Sequence, residues 1–294
     1  MKFCCSLRLG LSALLLVTSG FLWSAEDKGL FWHVTSSAGT AYVLGTIHFA
    51  DQSFYPLRKE IIDAFEKSDV LIGELDAEAL DGKKIAKILA KETQLPKGET
   101  LKDHLNDEVY KELKQYFQQE NVPFKSVERT KPGWLMMQIM TRYIQKLGYN
   151  AKDGLDRHFM QRAQGKKEII GLESLVEQLR LFLELDDADA LVSETLRSIN
   201  TMDSELAALV KSWKKGDEQQ LELLLIKKPL LTEPKAKPYF DRFIWQRNKK
   251  MAKKISLLLK EPKRYFIVIG SGHLVGNQSV LAELAALGMQ VERH

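Results

Sequence analysis

Apolar and polar positions along this chain follow two rhythms. Short apolar runs bounded by turn residues predict strands, and longer stretches with apolar residues three and four apart predict helices. Phe31-Trp32-His33-Val34 and Thr40-Ala41-Tyr42-Val43-Leu44 flank the turn residues Ser36-Ser37-Ala38-Gly39, the pattern of a β-hairpin. Val70-Leu71-Ile72, Ile169-Ile170 and Tyr265-Phe266-Ile267-Val268-Ile269 predict buried strands, and Met289-Gln290-Val291-Glu292 a last edge strand. Pro56 is expected to open a helix with Ile61, Ile62 and Phe65 as its apolar stripe. Helical periodicity fills Glu78 to Gln145, broken at Pro96, Pro123 and Pro132. It returns from Ser174 to Lys260, with breaks near Gly216 and across Pro229, Pro234 and Pro238. A helix over Ser279–Leu287 is stopped by Gly288.

Strands separated by helices favour a parallel sheet. The expected fold is therefore α/β: a mostly parallel central sheet with an N-terminal β-hairpin, helices on both faces, and helical insertions at about 78–165 and 176–260 forming a cap. The first 25 residues stand outside that pattern. Lys2 and Arg8 precede an apolar run from Leu9 to Trp23 and the small residues Ser24-Ala25, the order of a secretory signal peptide. The run is short for a membrane span, so no stable span is expected once the leader is removed, and residues 26–294 form the mature domain. A periplasmic or secreted location follows.

Composition narrows the chemistry. The 294 residues are 45% hydrophobic and 28% charged, ordinary globular proportions. Both cysteines, Cys4 and Cys5, lie in the leader, which leaves no thiol nucleophile and no cysteine zinc site in the mature chain. The formal charge of +4 includes Lys2 and Arg8, too balanced a chain to suggest nucleic acid as a partner. The lysines Lys249, Lys250, Lys253 and Lys254 sit at helical spacing and read as a solvated face.

The chemistry gathers where strands stop. Four apolar runs each meet a glycine and then a polar group: Val43-Leu44-Gly45-Thr46-Ile47-His48, Leu71-Ile72-Gly73-Glu74, Ile169-Ile170-Gly171-Leu172-Glu173 and Val268-Ile269-Gly270-Ser271-Gly272-His273. In a parallel sheet the carboxyl ends of all strands share one edge, where ligands bind. His48, His273, Glu74 and Glu173 are thereby expected at one site, with Gly45 and Gly270 permitting close backbone approach to a substrate. Two imidazoles and a carboxylate suit a divalent transition metal, so His48, Glu74 and His273 are the candidate ligands and Glu173 a supporting acid or general base. Arg247, judged on pattern alone, is a surface cation. The remaining histidines, His33, His104, His158 and His294, lack the strand-end setting and are expected to be structural or exposed.

These motifs resemble the TraB/GumN family, which includes the TIKI-type metalloproteases that act on Wnt proteins. The resemblance rests on Leu44-Gly45-Thr46-Ile47-His48 with Asp51, Gly73-Glu74-Leu75-Asp76, Gly171-Leu172-Glu173-Ser174 and Gly270-Ser271-Gly272-His273-Leu274-Val275-Gly276, and runs from about Leu30 to Arg293. It implies a fold similar to erythromycin esterase and the haem-binding ChaN-like proteins, and a divalent metal such as manganese, cobalt or zinc. It implies a site at His48 and His273 with Glu74 and Glu173. It adds Asp156 after Gly154-Leu155, and Arg247-Asn248 as a substrate or carboxylate clamp. The implied activity is metal-dependent hydrolysis, of peptides in the first instance or of another small molecule. Two alternatives stay open: a binding protein for haem, metal or a small ligand, and a metal-free esterase-like hydrolase in which a histidine oriented by a carboxylate activates water.

Overall fold

The computed structural model describes residues 29–76, 81–184, 187–233 and 237–294. The expected leader, residues 1–25, and the positions Glu78 and Pro234 lie outside the described residues. Six strands form one sheet: β1 (Leu30–Thr35), β2 (Thr40–Thr46), β3 (Val70–Leu75), β4 (Glu168–Glu173), β5 (Arg264–Gly270) and β6 (Gln290–Arg293), in the spatial order β4-β3-β5-β2-β1-β6. The first four in that order run parallel, and β1 and β6 add antiparallel pairings at one side. The hairpin, β3, β4, β5 and β6 stand where the apolar runs placed them, but β4, expected to be buried, is a half-exposed edge strand with a neighbour on one side only.

Burial explains which strand lies at the centre. Tyr265 to Ile269 are wholly enclosed, a continuous apolar run as expected of a parallel strand covered on both faces. In-register pairing of Thr46 with Gly270, Gly73 with Val268 and Gly73 with Gly171 brings the carboxyl ends of β2, β5, β3 and β4 to one rim. Gly45 is fixed by packing: a Cβ there would lie 2.8 Å from Leu30 Cβ, and its carbonyl accepts a 2.6 Å hydrogen bond from the indole of the buried Trp213. The first helix is one departure from the sequence expectation. It spans Lys59–Lys67 and starts three residues after Pro56, because Leu57 first turns inward to join the core.

The helical insertions share a second core. Leu101, Leu105, Val109, Leu113, Phe117, Leu135, Met136 and Ile139 from the first pack with Val192 from the second. This body meets the sheet domain at the helix Leu175–Leu183, which follows β4 directly behind the Ser174 N-cap. There Gly133 comes so near that a Cβ would sit 1.7 Å from the carbonyl oxygen of Phe182. Substituting Gly133→Ala forces the two helices apart and should cost about 3 kcal/mol, the upper part of the usual overpacking range. Chemical denaturation reads that loss, and an unchanged midpoint would refute the contact.

Candidate functional site

Each side chain of the rim is set by its own piece of backbone. The chain leaving β2 carries His48. The segment 154–156 is pressed against it, with Leu155 N–H donating to Ile47 O at 3.2 Å, and a Cβ on Gly154 would lie 2.2 Å from His48 O. That contact delivers Asp156, in the first turn of the helix Leu155–Ala163, to the imidazole. Asp156 Oδ2 accepts from His48 Nδ1 at 2.9 Å, and its Oδ1 accepts from the Thr46 hydroxyl at 2.5 Å. A carboxylate only accepts here, so Nδ1 carries a proton and Nε2 faces the rim.

His273 is held in the same manner by a neutral partner. Its Nδ1 lies 2.6 Å from Asn248 Oδ1, and Asn248 Nδ2 donates to Gln278 O at 2.7 Å, which fixes the amide's orientation. Nδ1 is therefore the donor, and Nε2 of the neutral ring is an acceptor. Glu74, at the end of β3, takes the Gly270 N–H on Oε1 at 2.7 Å. The position a Gly270 Cβ would fill is 3.0 Å from Glu74 Oε1 and 3.2 Å from His48 Nε2, so the bare glycine is what lets both groups close on β5.

Arg247, on the helix Gln246–Leu258, ties these parts together. Its Nε donates to both Glu173 oxygens at 2.9 and 3.1 Å. Its Nη2 donates to Glu173 Oε2 at 2.7 Å and Glu74 Oε2 at 2.9 Å, and its Nη1 to Phe243 O and His273 Nε2, both at 2.9 Å. A guanidinium has five N–H donors, and every one is engaged. The surface placement suggested by pattern alone is corrected: only 12% of the side chain is exposed. A guanidinium can be buried this far because two carboxylates neutralise it. Lys249, Lys250, Lys253 and Lys254 do form an exposed face of the same helix.

The site's charges are strongly tuned. The Asp156 carboxylate pushes His48 up to about 10. Burial pulls His273 down to about 4, against the attraction of Glu74. Burial alone would raise Glu74, but His273, His48, Arg247 and the Gly270 N–H bring it down to about 2.

The structure gathers His48, Glu74, Glu173, His273, Arg247, Asn248, Asp156 and Gly270 into this one cluster. Gly45 is not at its open side, since the space beside it holds Leu30 and Ser271. Gln178 is a member that motif reading passed over. Its Nε2 donates to Glu74 Oε2 at 2.9 Å and Glu173 Oε2 at 3.1 Å, bridging the two acids opposite Arg247. The signal was present: Ser174 and Glu177 form a capping box, which starts the helix right after Glu173 and puts residue 178 in its first turns. Of the remaining histidines, His33 bonds Thr40, His104 pairs with Glu99, and His158 packs on Tyr55 and Phe159.

Whether the predicted ligand set suits a metal turns on Arg247. Among the described residues no group of three or more histidines, cysteines or acids is arranged to hold an ion. The guanidinium occupies Glu74 Oε2, both oxygens of Glu173 and the lone pair of His273 Nε2. Two unit positive charges about 4 Å apart repel by about 4 kcal/mol even at an effective dielectric near 20, and a divalent ion doubles that. As the side chains stand, the residues do not fit a metal.

An α/β protein with a buried charge cluster on the carboxyl rim of its parallel strands is the class these features define. The chain belongs to the TraB/PrgY/gumN family, whose pattern matches residues 30–293. It is 26% identical to metalloprotease TIKI2 of Xenopus tropicalis, over 92% of this chain and 60% of that protein. It is 23% identical to metalloprotease TIKI1 of Homo sapiens, over 91% of this chain and 62% of that protein. An uncharacterized protein of Treponema pallidum is 22% identical over 87% of this chain and 80% of its own length. The chain thus spans about three fifths of the TIKI proteins it matches. No solved structure matches it.

Two titrations probe the cluster. Asp156→Asn removes the carboxylate that raises His48, so the ring's pKa, followed by NMR, should fall from about 10 toward its ordinary value near 6.5. An unmoved His48 would show that Asp156 does not govern it. Neutral burial of His273 gives a stability signature as well. Its folded pKa near 4 lies below the unfolded 6.5, so the unfolded chain binds the extra proton and stability drops as pH falls from about 6.5 to 4. His273→Gln should flatten that acid limb in denaturant midpoints measured across this range; an identical slope would refute the assignment.

Proposed function

We propose that this protein is a hydrolase of the peptidase kind, exported by its N-terminal leader, with His48 as the group that moves protons. The observation that carries the reading is the His48–Asp156 pair, whose second ring nitrogen faces the carboxyl rim and bonds none of the described side chains. Asp156, itself braced by Thr46, fixes the ring so that Nε2 can accept a proton from water and return it to a leaving group. At 58% exposure the His48 side chain is the open member of an otherwise enclosed cluster, so substrate and water reach it first. Support for a peptide substrate comes from the curated relatives named metalloproteases. Their shared name also carries a metal, but none of the proton steps above is routed through an ion.

Glu74, Glu173 and Gln178 serve Arg247 in this reading, and Arg247 holds His273 Nε2 and the end of β3 in place. Glu173, expected as a general base, is instead committed to the guanidinium through both oxygens. The cluster forms a rigid, charged floor beneath His48.

The test is digestion of a peptide library by the chain lacking residues 1–25, with cleavage read by mass spectrometry. His48→Ala should lower kcat/KM by about 10²–10⁴. Because the pair holds His48 protonated at neutral pH, the base form grows as pH rises, and kcat/KM should climb from pH 7 toward the pKa near 10. Asp156→Asn should move the limb to lower pH. No cleavage of any peptide, or a pH profile indifferent to Asp156, would sink this reading.

A further inference from the structure

We infer that Arg247 is the resident cation of this site and keeps it closed to divalent ions, so that His48, Glu74 and His273 become a metal site only when the guanidinium is removed. The donor count comes first. All five N–H groups of Arg247 are spent inside the cluster, leaving none to bind a substrate anion. The atoms they are spent on are the second observation. Glu74 Oε2, the Glu173 oxygens and His273 Nε2 are the oxygens and the ring nitrogen that a transition ion would coordinate.

The third observation is how the two histidines are prepared. Metal-bound imidazoles as a rule donate their other N–H to a carboxylate or carbonyl, which fixes the tautomer. His48 does so to Asp156, and His273 to Asn248. Both rings thereby turn Nε2 away from their anchoring partners, at His273 as an acceptor, and Glu74 Oε1 is steadied by the Gly270 N–H. The anchoring of both rings is of the kind metal-bound imidazoles use, and the space between the two acids and His273 is filled by a side chain. Taking Arg247 away leaves Glu74 and Glu173 without the cation they share, a setting that draws cations.

The experiment measures ion content and does not depend on any hydrolysis, so it stands or fails apart from the peptidase reading. Chelator-stripped protein is dialysed against manganese, cobalt or zinc, and bound ion per chain is counted by elemental analysis, with cobalt absorbance reporting its geometry. The unaltered chain should hold no ion that His273→Ala removes. Arg247→Ala should gain one ion per chain, and Arg247→Ala with His273→Ala should lose it again. Should Arg247→Ala not fold, Arg247→Ala with Glu173→Gln removes one buried acid along with the cation and should show the same gain. An ion on the unaltered chain that His273→Ala abolishes would overturn the inference. So would folded Arg247 variants that take up no additional ion.

Discussion

Two carboxylates cannot share a buried strand edge without a cation between them, and the carboxyl rim of this sheet is arranged around that requirement. Glu74 and Glu173 stand near the ends of adjacent parallel strands, and both turn to the same guanidinium. Leaving like charges close in a poorly solvated place would drive one of them to take a proton. Arg247 prevents this, and its planar fork determines the orientation of everything it touches: the acids on one side, His273 on the other, and the carbonyl of Phe243 behind. Gln178 completes the bracing from a separate helix. A lysine could supply the charge but not this geometry, having three donors on a flexible stem.

The two histidines then diverge because their second partners differ. His48 leans on an acid and is held in its charged form; His273 leans on an amide beside a guanidinium and is held neutral. Their motifs are alike in sequence, Gly-x-x-His after an apolar strand, yet each ring's chemistry is fixed by a residue that arrives from a distant segment. His48 is more than half open to water, so its pairing weighs on proton transfer far more than on stability.

That dependence explains what was legible in the sequence. The strands were readable because buried parallel strands are unbroken apolar runs, and the four glycine-terminated runs correctly placed Glu74, Glu173, His48 and His273 along one edge. Asp156 and Arg247 entered only through family resemblance. Nothing local distinguishes Arg247 from the lysines two and three positions on, since what buries it is the approach of β3 and β4. Gln178 went unnoticed for a different reason: an amide is chemically silent in a motif search, and its role exists only once two carboxylates converge on it. Gly45 was misleading in the opposite direction, because a glycine that admits a neighbouring strand and one that admits a ligand look the same in a sequence.

The interlocking of the helical insertions has a bearing on how such a chain can change over generations. Val192 of one segment completes the core of the other, and Gly133 seats their common body against the helix that carries Gln178. Neither segment is a free-standing module. Exchanging one of them alone would strand an apolar surface and unseat an amide at the rim, so a change in either segment has to be matched by the other.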